Sequence, residues 1–205
     1  MPDPTLEREA ALWAKGFRLV AGLDEVGRGP LAGPVVAAAV VFAPGQAAIE
    51  GLKDSKVMSP SERERVADVV RAAALHWALG AASVREIDRI NIRRASALAM
   101  RRALERLPVT PDHVLVDGPP LPELGVAHEP VIGGDGICQS VSAAAVLAKC
   151  VRDHLMEQLA PRYPSFRWES NKGYATADHL SALRASDPTP HHRVTFSPMA
   201  QGELF

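Results

Sequence analysis

Residues 18–34 read RLVAGLDEVGRGPLAGP, and few local structures accommodate them. Residues 18–23 are a short apolar run of strand length, and they deliver two adjacent carboxylates, Asp24 and Glu25, into a glycine-rich turn. Gly27 and Gly29 flank Arg28, so the main chain can approach a ligand there with no Cβ in the way. Arg28 adds a planar cation suited to phosphate. Paired acids suit hard divalent cations, and bare amides beside an arginine suit a phosphodiester. The stretch therefore reads as a metal site joined to a nucleic-acid reader; a strand with a plain surface turn is the other reading. Residues 35–42, VVAAAVVF, follow closely enough to close an antiparallel hairpin.

Downstream, helix and strand signals alternate. Residues 6–14 form a short amphipathic piece with Leu12 and Trp13 as packing anchors on the first strand. Ser59, Pro60 and Glu62 supply an N-cap, a first-turn proline and a capping-box acid, which predicts a helix to about Ala74. Residues 75–84 read as a third strand and 87–107 as one long helix ended by Pro108. Residues 114–116 are a buried strand presenting Asp117, and 126–132 are another, ended by Gly133, Gly134 and Asp135. A helix over 139–159 uses small alanines to lie close on the sheet, and a shorter one covers about 177–185. The order predicts a mixed five-stranded α/β sheet with helices on both faces.

Strand ends of such a sheet gather at one crevice, so Asp24, Asp117 and Asp135 are expected to converge. Gathered acids repel; two Mg²⁺ or Mn²⁺ ions about 3.5–4 Å apart would resolve the repulsion and could serve both sides of a phosphodiester. Glu25 is harder to place, since neighbours on a strand leave opposite faces unless the strand ends or bulges. Asp153 reads as the ion-pair partner of Arg152. His191 and His192 have no partners at ligand spacing, which excludes zinc and leaves them as tail residues, at most touching a phosphate or leaving group.

The 205 residues suffice for one sizeable core and show no composition break, so a single domain is expected. A net charge of −1 rules out binding nucleic acid by global charge. Seven arginines between Arg85 and Arg106 could supply a local phosphate-facing stripe or merely a solvated helix face. Cys138 and Cys150 fall on one helix, about 18 Å apart, too far for a disulfide, and read as reduced buried thiols. With no apolar run of membrane-spanning length, a cytoplasmic protein with no membrane partner is expected.

GLDEVGRGPLAGP followed by VVAAAVVF resembles the signature of ribonuclease HII, the type 2 ribonuclease H that cuts RNA strands and single ribonucleotides in duplex DNA. Asp54-Ser55-Lys56, residues 87–100, Val116-Asp117-Gly118, Gly134-Asp135, residues 143–149, Arg152-Asp153, Lys172-Gly173-Tyr174 and His192-Arg193 follow in the family's order. The resemblance spans about residues 19–196 and implies a ribonuclease H-like fold with a C-terminal helical extension over about 160–196. It implies that Asp24, Glu25, Asp117 and Asp135 are catalytic and hold two Mn²⁺ or Mg²⁺ ions. Gly27, Arg28 and Gly29 would read the 2′-hydroxyl, Tyr174 would stack on the following deoxyribose, and Lys56 and Lys172 would contact phosphates. The implied reaction hydrolyses the RNA strand of an RNA–DNA hybrid, or cuts 5′ of a lone ribonucleotide, leaving 3′-hydroxyl and 5′-phosphate ends.

Two positions depart from that pattern: Gly133 stands where the family usually has lysine, and Ala145 where it commonly has serine. A noncatalytic hybrid-binding module of the same fold and a ribonuclease HIII-type enzyme are the competing readings. Residues 197–205 are expected to be a mobile tail on a monomer. Within it, Gln201, Leu204 and Phe205 resemble the short peptides that dock on the bacterial sliding clamp, the other reading being a hydrophobic clasp folded onto the body.

Overall fold

In the computed structural model, which describes residues 3–201, five strands form one sheet in the order β3-β2-β1-β4-β5. Strands β1 (Val20–Val26), β2 (Val35–Val41) and β3 (His76–Ala82) make an antiparallel meander; β4 (His113–Asp117) runs parallel to β1, and β5 (Glu129–Val131) parallel to β4. Period-two alternation sorts their side chains into two cores. Ala21, Leu23, Ala37, Ala39 and Val116 pack under helices α3 (Val84–Ile90) and α4 (Ile92–Glu105). Val36, Ala38 and Val40 face α2 (Pro60–Ala73) and α5 (Gln139–Leu159). The mixed sheet with helices on both faces is the architecture expected from the order of elements.

Helix α5 is seated on β1 by two devices. A Cβ on Gly22 would fall 2.3 Å from the Ser140 carbonyl carbon, so only glycine lets the first turn of α5 lie against the strand. From the other side, the buried Glu9 of helix α1 (Glu7–Ala14) accepts from the Ser140 amide at 2.8 Å and its hydroxyl at 2.6 Å, an acid placed at a helix N-terminus. Leu12 and Trp13 pack beside Val20, as their spacing implied.

The single helix expected over 87–107 is two helices. Asn91 takes a left-handed φ of 69°, ends α3, and caps α4 by accepting from the Arg94 amide at 3.1 Å. Ser83 and Glu86 close a capping box on α3. Both helices contribute to the same core, so apolar periodicity runs through the break and hides it. Four of the seven arginines here are engaged within the protein: Arg93 and Arg102 pair with Glu123 and Glu86, and Arg101 and Arg106 bond the carbonyls of Leu124, Glu123 and Leu79. The strand expected over 126–132 shrinks to β5, because the chain turns at Gly125 and the His128 ring accepts from the Leu121 amide at 3.1 Å.

Beyond α5 come two 3-10 turns, the short helix α6 (Trp168–Asn171) and α7 (Ala177–Ala185). Phe166, Trp168 and Leu183 pack with Leu31, Ala32 and Met156 in a separate cluster that also takes in Met199. Thus Met199 of the segment read as a tail is buried, whereas Leu204 and Phe205 lie outside the described residues. Cys138 and Cys150 are free and buried, and burial pushes each thiol up to about 12. Among the described residues no helix is long and apolar enough to cross a membrane.

Candidate active site

Parallel pairing sets Leu23 beside Val116, so the next step along both strands brings Asp24 beside Asp117 on the sheet face that carries α5. Asp24 is buried and its Oδ1 accepts from the Glu25 amide at 2.6 Å. Asp135 arrives from above, on the 3-10 turn Gly134–Gly136 that leads into α5 rather than on a strand end. The turn is tied to β4 by the Gly134 amide, which donates to Asp117 Oδ1 at 2.7 Å. Gly133 starts it in a left-handed conformation, φ 69°, that a lysine would adopt only with strain. Ala145 is buried within α5.

Strand β1 stays regular through Val26 and pairs Glu25 with Ala37, so no bulge turns Glu25 toward Asp24. Glu25 borders the site because the strand ends one residue later, and Arg28 folds back to donate to its Oε1 at 3.0 Å. Gly27, at φ 99°, makes that return possible; a Cβ there would also fall 2.1 Å from Arg152 Nε.

Charge accumulates where the acids meet. Burial, and then the charges of Glu25, Asp117 and Asp135, hold Asp24 well above the usual carboxylate range. Burial also raises Glu25, against the opposing pull of Arg28, and burial with the charge of Asp135 raises Asp117. Lys56 supplies the local counter-charge, its ammonium donating to Asp135 Oδ2 at 2.6 Å. Burial alone would lower this lysine, but Asp135, Asp54 and Asp24 hold it above its ordinary range.

The donors are all carboxylate oxygens, crowded enough to resist ionisation and already drawing in one ammonium, which is the chemistry of a hard divalent cation site. Among the described residues no group of three or more such side chains closes into a ready metal cage.

A cleft of about 450 Å³ opens beside the acids, bordered by Glu25, Arg28, Gly29, Lys56, Lys149 and Tyr174. Tyr174 is exposed, with a ring edge 3.8 Å from where a Gly29 Cβ would lie. Lys172 turns elsewhere, donating to Glu157 at 2.6 Å and to the Glu169 carbonyl. Asp153 does not pair with Arg152; it accepts from Lys149 at 2.7 Å and faces Arg63 at 3.5 Å.

Three interior groups were not legible as a network in the sequence. Arg152 is buried and donates to the carbonyls of Pro34, Lys172 and Ala32. Arg193 donates to those of Gly27, Arg28 and Gly33. His192 is not a tail residue but is buried against His179. These contacts join residues far apart in the chain, and no local pattern marks them; the His-Arg dipeptide and the glycine loop were the only signals.

A family profile described as Ribonuclease HII matches residues 21–199. The chain is similar to Ribonuclease HII of Paramagnetospirillum magneticum, 51% identical with both chains covered completely. Its fold is similar to the crystal structure of ribonuclease H2 from Pyrococcus horikoshii, with a TM-score of 0.77, 26% identity, and 89% of this chain and 96% of that one covered. A structure of the PCNA:RNase HII complex from Archaeoglobus fulgidus matches with a TM-score of 0.72 over 87% of this chain and 95% of that one; at 22% identity that is a likeness of fold.

Proposed function

The chain belongs to the ribonuclease HII family, and from that membership we propose a metal-dependent endonuclease that hydrolyses the RNA strand of RNA–DNA hybrids. It also cuts 5′ of a single ribonucleotide embedded in duplex DNA, leaving 3′-hydroxyl and 5′-phosphate ends. The observation that carries this reading is the meeting of Asp24, Asp117 and Asp135 beside a cleft lined by Arg28, Lys56 and Tyr174.

Asp24, Glu25, Asp117 and Asp135 are the residues that would hold Mn²⁺ or Mg²⁺, two ions per site. Bound, these ions supply Lewis acidity for activating water and for stabilising the departing 3′ oxygen. Arg28 and the Gly27 to Gly29 backbone take the ribonucleotide and its 2′-hydroxyl, which both donates and accepts. Tyr174 gives a flat surface for the next sugar, and Lys56 exchanges Asp135 for a phosphate. Lys172, held by Glu157, is the weakest of the substrate contacts expected from the sequence.

The test is a duplex carrying one ribonucleotide, incubated with Mn²⁺ or with chelator. Cleavage 5′ of the ribonucleotide, lost in chelator, is expected; cleavage that persists in chelator overturns the metal mechanism, and an uncut duplex overturns the substrate. For the tail, we propose that Gln201, Leu204 and Phe205 dock on a sliding clamp, a reading supported by the clamp complex of the Archaeoglobus protein. Deleting residues 201–205 should abolish clamp binding and leave the melting temperature unchanged; a drop of several degrees would favour the clasp.

A further inference from the structure

The two elements assigned to substrate reading, the Gly27 to Gly29 loop and Tyr174, come from opposite ends of the chain. Both are tied to one segment, residues 189–196, which turns on either side of a single bridged residue, His192. Its backbone pairs with the loop that follows Gly29: Ala32 and His192 form an antiparallel bridge, the Gly33 amide donates to the His191 carbonyl at 2.9 Å, and the Arg193 amide donates to the Leu31 carbonyl at 2.8 Å. The buried Arg193 guanidinium then gathers the loop's carbonyls, donating to Gly27 at 2.6 Å, Arg28 at 3.0 Å and Gly33 at 2.8 Å. With those carbonyls turned inward, the opposite side of the loop faces the cleft.

One residue earlier, His192 reaches the second element. The Thr189 amide donates to His192 Nδ1 at 2.9 Å, which makes Nδ1 an acceptor and leaves the ring proton on Nε2. That proton goes to His179 Nε2 at 3.0 Å, which also accepts from the Trp168 indole at 3.3 Å. His179 must therefore carry its own proton on Nδ1, where it donates to the Tyr174 carbonyl at 2.8 Å. Only neutral imidazoles satisfy every bond in this chain. The loop and the Tyr174 turn are also joined directly, the Leu31 amide donating to the Gly173 carbonyl at 2.8 Å.

We propose that Arg193 and His192 are positioning residues that fix the glycine loop and Tyr174 as one rigid reading unit, with His179 as the link to Tyr174. The proposal rests on the assigned ribonuclease function. A single ribonucleotide in DNA offers one register, in which its 2′-hydroxyl must meet the loop while the next sugar meets Tyr174. A continuous hybrid offers many registers. Loosening the unit should therefore penalise the single ribonucleotide far more.

His192→Leu, Arg193→Lys and His179→Asn are compared with the wild-type protein by hydrogen exchange and by cleavage of both substrates. In His192→Leu the amides of Leu31, Gly33, Gly173 and Tyr174 should exchange faster together. The ratio of kcat/KM on the single-ribonucleotide duplex to that on continuous hybrid should fall about tenfold, mainly through KM, the scale of one lost buried hydrogen bond. His179→Asn keeps a donor toward the Tyr174 carbonyl and should retain most of the ratio. Where the leucine variant does not fold, Arg193→Lys, which keeps cation and reach but loses the fork, carries the same readings. Faster exchange in only one of the two elements, or parallel loss of kcat on both substrates at an unchanged ratio, overturns the proposal. A wild-type protein that cuts neither substrate overturns the function instead, and the coupled exchange would still be measurable.

Discussion

Asp24 is the residue where function and stability oppose each other most directly. Its folded pKa lies above the ordinary 3.8, so the native state binds that proton more tightly than the unfolded chain does. Ionising it therefore costs stability, and the cost is complete only at a pH above the raised value. Asp24→Asn should raise the melting temperature in chelator at neutral pH by several degrees while abolishing cleavage; a variant that melts lower, or still turns over normally, contradicts the assignment. Tyr174→Ala should blunt preference for a single ribonucleotide more than it slows cleavage of continuous hybrid, since the ring is exposed and does not support the core. Equal losses on the two substrates would remove Tyr174 from the reading role. At this scale the sequence was informative about chemistry and poor about direction. Adjacent acids after an apolar run identified Asp24 and Glu25, but only the regular pairing of β1 showed that Glu25 is turned toward Arg28. Lys172 already ranked behind Lys56 as a phosphate contact in the sequence, and the structure gives a reason, since Glu157 holds its ammonium.

Elements were legible where local chemistry states its own boundary. The capping box at Ser59, Pro60 and Glu62 starts α2 where the sequence placed it, and α5 and α7 occupy the expected spans because prolines and a threonine cap bound them. The break between α3 and α4 was missed because Asn91 is a weak signal: asparagine tolerates left-handed backbone, yet nothing requires it to adopt one. Asn91 now does two things at once, ending one helix and capping the next. Asn91→Ala should cost about 1 kcal/mol through the lost cap, whereas Asn91→Gly, which loses the same cap but is freed of a Cβ at φ 69°, should cost only a few tenths. Chemical denaturation of both variants separates the contributions; equal losses would mean that the cap, and not the conformation, is what asparagine provides. Asp135 was misplaced for a related reason. Glycines at 133 and 134 read as the end of a strand, but they form the turn that starts α5 and delivers the acid to β4.

Across the whole molecule, two groups of titrating residues respond to acid in opposite directions. His192 is held down to about 4 by burial and by His179, below the ordinary 6.5, so its contribution is complete above 6.5 and is lost as pH falls through 4. The carboxylates behave in reverse: Asp24, Glu25 and Asp117 are raised, so acidification relieves their repulsion and stabilises the metal-free fold. A bound divalent cation would relieve the same repulsion without protons, and the two must then compete for the same oxygens. The stabilisation by Mn²⁺ should accordingly be greatest at a pH above the raised carboxylate range and shrink as pH falls through it. At a concentration a hundredfold above the dissociation constant it should reach about 2.7 kcal/mol, on the order of 5–10 °C for a chain of this size. Melting curves with and without Mn²⁺ across that range test the idea. In Asp24→Asn, where one repelling charge is already gone, the increment should be smaller at every pH. An increment that does not vary with pH, or that survives intact in Asp24→Asn, would place the metal somewhere other than among these acids.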